Sequence, residues 1–219
     1  MMRSALFDLD GTLLDTAPDF YRIICEQART HGFPEPDYQL IRDNASNGGK
    51  PMLRAAFPEP FTAFETELHN EFLSLYRSNP VESGSLFPGF NEALIWLEEQ
   101  QIPWGIVTNK PRELTDIVLE QLQLTNRCSV CICPEDVSQS KPDPEGILKA
   151  LSAVKASAEH SLYFGDHIRD IAAGKAAGTP TVACTFGYLA EGENHKDWQA
   201  THTLHQPENL LSFLTDQFN

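Results

Sequence analysis

The sequence predicts an α/β chain whose core is a doubly wound parallel sheet, with an α-helical cap subdomain inserted after the first strand. Two observations predict the core. Short apolar runs alternate with helical periodicities along most of the 219 residues, the pattern of a parallel sheet covered by helices on both faces. Three of these runs end in Asp, Thr or Asn, and ligands of open parallel sheets bind beyond the carboxyl ends of the strands. A third observation predicts the insertion: over ninety residues separate Asp10 from the second strand, far more than one crossover helix needs.

The elements follow in order. Ser4–Asp8 is the first strand, and Gly11 allows a sharp exit from it. Asp19–His31, Asp37–Asn44, Met52–Phe57 and Phe61–Ser78 have helical character and form the cap, residues 16–84. Phe61, Phe64, Leu68, Phe72, Leu75 and Tyr76 recur at helical spacing and read as its core or its seam with the main domain. Pro88-Gly89 marks the return to the core, residues 1–15 and 85–219. Strands are then expected at Trp104–Thr108, Ser129–Cys133, Ser161–Gly165 and Thr181–Cys184. The helices between and after them are Phe90–Gln101, Glu113–Gln123, Pro144–Val154, Ile168–Ala177 and Pro207–Phe218. Asp143 before Pro144 has the form of an N-cap followed by proline, and Gly178 that of a helix stop. The core is thus Rossmann-like.

Composition narrows the function classes. A hydrophobic share of 41% with 21% charged residues is that of a globular protein. The net charge of −15 argues against a broad nucleic-acid or anionic membrane surface, so an anionic substrate needs local positive charge. No apolar stretch is long enough to span a bilayer, and the N-terminus lacks a secretory pattern, so a cytoplasmic location is expected. Cys128, Cys131 and Cys133 lack the second ligand pair of a zinc site and read as core thiols in a reducing compartment.

The first strand ends in Asp8-Leu9-Asp10-Gly11-Thr12. Strand alternation puts Asp8 and Asp10 on one face. Two such carboxylates can divide the work of nucleophile and proton carrier, or hold a hard cation. Trp104–Val107 leads to Thr108-Asn109, and Leu162–Gly165 leads to Asp166, with Asp170 four residues on. Lys141 precedes a helix and can reach the same crevice. Chemically, Asp8 would attack phosphorus and Asp10 would protonate the leaving alcohol and then deprotonate water. Asp166, with Asp8 and Asp170, would hold Mg²⁺. Thr108 would hydrogen-bond the phosphate and Lys141 would neutralise charge.

The set D-x-D-G-T, T-N, S-K-P-D-P and G-D-x-x-x-D, in this order, resembles the haloacid dehalogenase superfamily of phosphohydrolases over essentially the whole chain. The resemblance implies Asp8 as nucleophile, Asp10 as acid/base, Thr108 and Lys141 as phosphate contacts, and Asp166 on Mg²⁺. It also implies Asp170 in direct or supporting contact and the Asp10 carbonyl on the metal, beneath a cap of the C1 type. Leu13–Asp19, Val107–Pro111 and Cys133–Val137 are similar to the phosphoglycolate phosphatase group. Leu40–Asp43, Ser46–Gly49 and Trp104-Gly105 are similar to a branch that removes phosphate from N-acetylmuramic acid 6-phosphate in cell-wall recycling. A small phosphorylated metabolite is thus the expected substrate, with the protein a monomer or small homo-oligomer.

Substrate reading is expected from the cap. Gly48 and Gly49 would open a helix whose free amides face the cleft, with Asn109 also contacting substrate. Lys50 and Arg54, four apart, would meet a carboxylate or sugar, or else be two cations on a solvated face. A phosphate loop at Gly48-Gly49-Lys50 fails, because Asn44 and Pro51 stand where the motif needs glycine and Ser or Thr. Asp10 argues against dehalogenase and phosphonoacetaldehyde hydrolase chemistry. A sugar-phosphate mutase, or a non-catalytic phosphate-binding module of the same fold, remains as the alternative. His167 reads as a supporting or surface residue rather than a metal ligand.

Overall fold

The computed structural model describes residues 2–190 and 192–218. In chain order the elements are β1 (Met2–Phe7), β2 (Leu14–Asp15), α1 (Ala17–His31), α2 (Tyr38–Asn44), α3 (Gly49–Ala56), α4 (Pro58–Ser78) and β3 (Ser85–Leu86). They continue with α5 (Phe90–Glu99), β4 (Trp104–Val107), α6 (Arg112–Gln121), β5 (Val130–Ile132), α7 (Glu145–Ala153) and β6 (Ala156–Gly165). The chain closes with α8 (Ile168–Ala176), β7 (Thr181–Cys184), β8 (His202–Leu204) and α9 (Leu210–Phe218).

Strand alternation builds the core. Ala5 and Phe7 of β1 pack with Phe90, Leu94, Val118, Leu210 and Leu214 on one face of the sheet. Leu6 between them packs with Val107, Ile147, Ala150, Tyr163 and Ala173 on the other. Burying both faces requires helices on both sides, which is why the strands read as unbroken apolar runs. The sheet runs β5-β4-β1-β6-β7-β8 and every neighbouring pair is parallel. Chain order reverses on either side of β1, so the carboxyl ends of β1, β4 and β6 open onto one crevice.

The differences from expectation are local. β8 extends the sheet by a strand that three residues of mixed polarity do not advertise. A two-residue antiparallel ribbon, Leu14 opposite Leu86 and Asp15 opposite Ser85, joins the two ends of the inserted stretch, where no strand was expected. The last helix starts at Leu210, because Pro207–Asn209 is a 3-10 turn. α3 begins three residues early, at Gly49.

Helices α1–α4 fill the interval between the ribbon strands. Asp37 caps α2 by accepting the N–H groups of Gln39 and Leu40, and α1 stops at left-handed Gly32. Phe61, Leu68, Phe72 and Tyr76 of α4 are buried, but Phe64 is 55% exposed. The backbone at Phe64 leaves helical geometry (φ −132°, ψ 37°) and swings it off the stripe. Asp19, fully buried, accepts the N–H groups of Glu82 and Ser83 at 3.0 and 3.1 Å and of Gly84 at 2.7 Å. One carboxylate thus ties the outgoing strand to the incoming helix. Among the described residues no helix is long and apolar enough to cross a membrane.

Candidate functional site

β1 ends at Phe7, and Asp8 is the first residue beyond it, its N–H donating to the Phe164 carbonyl at 2.9 Å. The chain then turns back through Gly11, whose φ of +83° suits glycine and whose N–H donates to Leu14 O at 2.8 Å. A Cβ on Gly11 would sit 2.1 Å from Asp166 Oδ2, so the turn needs glycine for space as well as conformation. Asp166 follows β6 directly, and Asp170 lies in the first turn of α8. There Asp170 Oδ2 accepts the His167 N–H at 3.1 Å, closing a capping box.

These elements gather Asp8, Asp166 and Asp170, all buried, with oxygens within 4.8 Å of one another. Lys141 Nζ lies between two of them, 2.7 Å from Asp8 Oδ1 and 2.7 Å from Asp170 Oδ1. Burial disfavours the Lys141 charge, but Asp170 and Asp8 more than offset this and raise its pKa well above the ordinary lysine value. Asp166 behaves oppositely. Burial, then the charges of Asp170 and Asp8, push it up to about 7, although it accepts the Tyr188 N–H at 2.9 Å, the Ser46 hydroxyl at 2.9 Å and the Thr12 hydroxyl at 3.3 Å. Burial likewise raises Asp170. Three buried carboxylates facing one ammonium form an all-oxygen donor set with unbalanced negative charge, which fits a hard divalent cation such as Mg²⁺.

The expected site residues divide into two groups. Asp8, Asp10, Thr108, Asn109 and Gly49 line one cleft of about 320 Å³ between the strand ends and α3–α4. Lys141, Asp166 and Asp170 lie beside it, grouped around Asp8. Asn109 spends both ends of its amide on Lys141: Nδ2 donates to the Lys141 carbonyl at 3.0 Å and Oδ1 accepts the Lys141 N–H at 3.2 Å. It holds the lysine loop in place. The Asp10 carboxylate lies outside the acidic cluster and meets Lys110 Nζ at 3.0 and 3.1 Å.

Lys50 and Arg54 do not line the cleft. Lys50 pairs with Glu65 at 2.7 Å on the exposed side of the cap, and the Arg54 guanidinium sits 5.3 Å from the Phe61 ring centroid. Gly48, Gly49 and Met52 face the cleft instead, and Lys50 and Arg54 lie off that face of α3. His167 caps α8, its Nδ1 accepting the Arg169 N–H at 3.1 Å, and burial followed by the Arg169 charge lowers its pKa to about 4.

Lys110, Tyr76, Ser46 and Arg169 are polar cleft residues to which the sequence reading gave no role in the chemistry. Lys110, buried, binds Asp10 and donates to Tyr76 Oη at 2.8 Å. Burial opposes its charge, yet Asp10 and Tyr76 hold its pKa above the ordinary value. Tyr76, whose own pKa burial raises to about 12, belongs to the stripe expected as the cap's core or its seam with the main domain. Ser46 brings the cap to Asp166, and Arg169 Nη2 donates to the Ser46 carbonyl. The only sequence signal for Lys110 and Arg169 is position: Lys110 follows the T-N motif within Val107–Pro111, and Arg169 lies inside G-D-x-x-x-D.

The chain has known relatives. The chain is 38% identical over 214 residues to N-acetylmuramic acid 6-phosphate phosphatase of Pseudomonas aeruginosa, covering 97% of this chain and 95% of that one. It is 38% identical over 208 residues to phosphoglycolate phosphatase of Xanthomonas campestris pv. campestris, covering 95% and 94%. A crystal structure of a predicted phosphoglycolate phosphatase from Haemophilus somnus shares the fold, with a TM-score of 0.83 at 23% identity over 97% of both chains. The family model described as haloacid dehalogenase-like hydrolase matches residues 5–184. With the parallel sheet, the four-aspartate crevice and these relatives in agreement, the chain belongs to the haloacid dehalogenase-like hydrolases.

Proposed function

We propose that this hydrolase is a Mg²⁺-dependent phosphatase of a small phosphorylated metabolite, with N-acetylmuramic acid 6-phosphate and 2-phosphoglycolate as leading substrates, acting through a phosphoryl group carried on Asp8. The observation that carries the reading is the placement of Asp8: a buried carboxylate at the cleft floor, 2.7 Å from the Lys141 ammonium, with Asp10 and Thr108 on the same cleft. In the first step an Asp8 oxygen forms a bond to phosphorus as the bond to the substrate oxygen breaks, and Asp10 gives that oxygen its proton. In the second, Asp10 takes a proton from water, the resulting hydroxide attacks phosphorus, and the Asp8–phosphorus bond breaks to release phosphate and free Asp8. Lys110 Nζ contacts both Asp10 oxygens, at 3.0 and 3.1 Å, and fixes the carboxyl group in the cleft. Lys141 and the Thr108 hydroxyl balance and orient the phosphoryl oxygens. Bound by Asp8, Asp166 and Asp170, Mg²⁺ would supply the positive charge that three like-charged carboxylates and a phosphate dianion require.

Helices α1–α4 act in this reading as a cap that closes over the substrate and excludes water, and the cleft volume suits a single sugar or smaller. The relatives named for both substrates support these two candidates. All five cysteines are unpaired, which supports a reducing, cytoplasmic setting. The test is kcat/KM with Mg²⁺ for both compounds, with Asp8→Asn as the blank. Hydrolysis that D8N abolishes while keeping its Tm is the expected outcome; turnover by D8N above about 1% of wild type removes Asp8 as nucleophile.

A further inference from the structure

Three basic side chains line the cleft: His69, Lys110 and Arg169. Lys110 is committed to Asp10 and Tyr76. His69 packs against Gly49, and burial, then the Lys50 charge, lower its pKa and disfavour the charged ring. Arg169 is different. Its Nη2 donates to the Ser46 carbonyl on the cap, its Nε is buried without a partner, and among the described residues no carboxylate pairs with it. Even neighbouring Asp170 turns away, to Lys141 and the His167 N–H. An Arg with unmet donors on the wall of a cleft, in a chain of net charge −15, is a ready counter-ion for an incoming anion.

Its position separates that anion from the phosphate under transfer. Lys141 and Thr108 serve the strand ends, whereas Arg169 reaches across to Ser46, beside Asn47, Gly48 and Gly49. Gly48 starts α3 with no side-chain cap, leaving the first amides of the helix open on the same wall.

We propose that Arg169 is a specificity-determining residue whose guanidinium binds a substrate carboxylate remote from the scissile phosphate. This inference rests on the phosphatase reading and replaces Lys50 and Arg54 as the carboxylate reader. A carboxylate docked there meets a guanidinium that already ties core helix α8 to the cap loop at Ser46.

Matched substrate pairs test it. One member of each pair carries the carboxylate: 2-phosphoglycolate against 2-hydroxyethyl phosphate, and N-acetylmuramic acid 6-phosphate against N-acetylglucosamine 6-phosphate, which lacks the whole carboxylate-bearing lactyl group. In wild type the carboxylated member of at least one pair has the higher kcat/KM. In Arg169→Met that preference falls at least tenfold, mainly through KM, and Arg169→Lys falls less. An equal loss on both members would assign Arg169 to the transferred phosphate or to structure, and would overturn the proposal; so would a variant that keeps the wild-type preference. If R169M does not fold, an R169K preference equal to wild type overturns it. A wild-type protein that hydrolyses none of the four compounds overturns the phosphatase reading itself, and the inference with it.

Discussion

Lys141 is where the site's electrostatics concentrate. Its ammonium touches Asp8 and Asp170, each at 2.7 Å, and has essentially no exposure to water. Removing one partner from a buried ionic cluster leaves charge without compensation and costs about 3–5 kcal/mol. Lys141→Met should therefore lower stability in urea by about that amount in chelator, and lower kcat by at least about 100-fold with Mg²⁺ present. A variant as stable as wild type without metal would show that Asp8 and Asp170 do not depend on this counter-charge. Lys50 gives the contrast. Its partner Glu65 and its own side chain are both substantially exposed, so Lys50→Ala should change kcat/KM less than about twofold for either leading substrate. A selective rise in KM would return Lys50 to the cleft.

Among elements, the ribbon β2–β3 and α1 form the joint between the two layers of the molecule. Asp19 carries it, accepting three backbone N–H groups from residues 82–84 with a fully buried side chain. Asp19→Ala strips those donors of their acceptor and should cost about 3 kcal/mol in urea unfolding. It should also raise KM, because the cap loses its fixed exit. Stability within about 0.5 kcal/mol of wild type would mean that the ribbon alone sets the joint. Strands β1, β4, β5, β6 and β7, with α1 and α2, follow from apolar runs and helical periodicity. The joint does not, since four ribbon residues carry no periodicity and Asp19 reads as an ordinary first-turn acid. Phe64 is a similar case: its spacing is helical, but the helix breaks under it.

For the whole molecule, the acidic cluster links folding to pH and metal. A carboxyl raised in the folded state binds its proton more tightly there than in the unfolded chain, so stability falls as pH rises between the two values. For Asp166 that window runs from about 3.8 to about 7. In chelator the protein should therefore have a higher Tm at pH 5 than at pH 8. Mg²⁺ should raise Tm more at pH 8, where the carboxylates need no deprotonation to bind it. Asp166→Asn should flatten the slope. Equal Tm values at the two pH values in chelator, or no response to Mg²⁺, would show that the cluster is not under charge strain.

The sequence by itself determined the alternation of strands and helices and the presence of inserted helices, and it singled out Asp8, Asp10, Thr108, Lys141, Asp166 and Asp170, which the fold gathers at one crevice. Those residues sit at strand ends or helix starts, and strand order then brings distant strand ends together without further information. Tertiary structure alone decided what faces them from the cap and across the cleft. Lys110 pairs with Asp10, Ser46 reaches Asp166, and Arg169 reaches Ser46 on the cleft wall while Lys50 and Arg54 turn outward. The physical reason is that cap side chains meet the core through the angle of α3 and the register of a two-residue ribbon. No local spacing encodes either, and a shift of a single helical residue turns a side chain by about 100°.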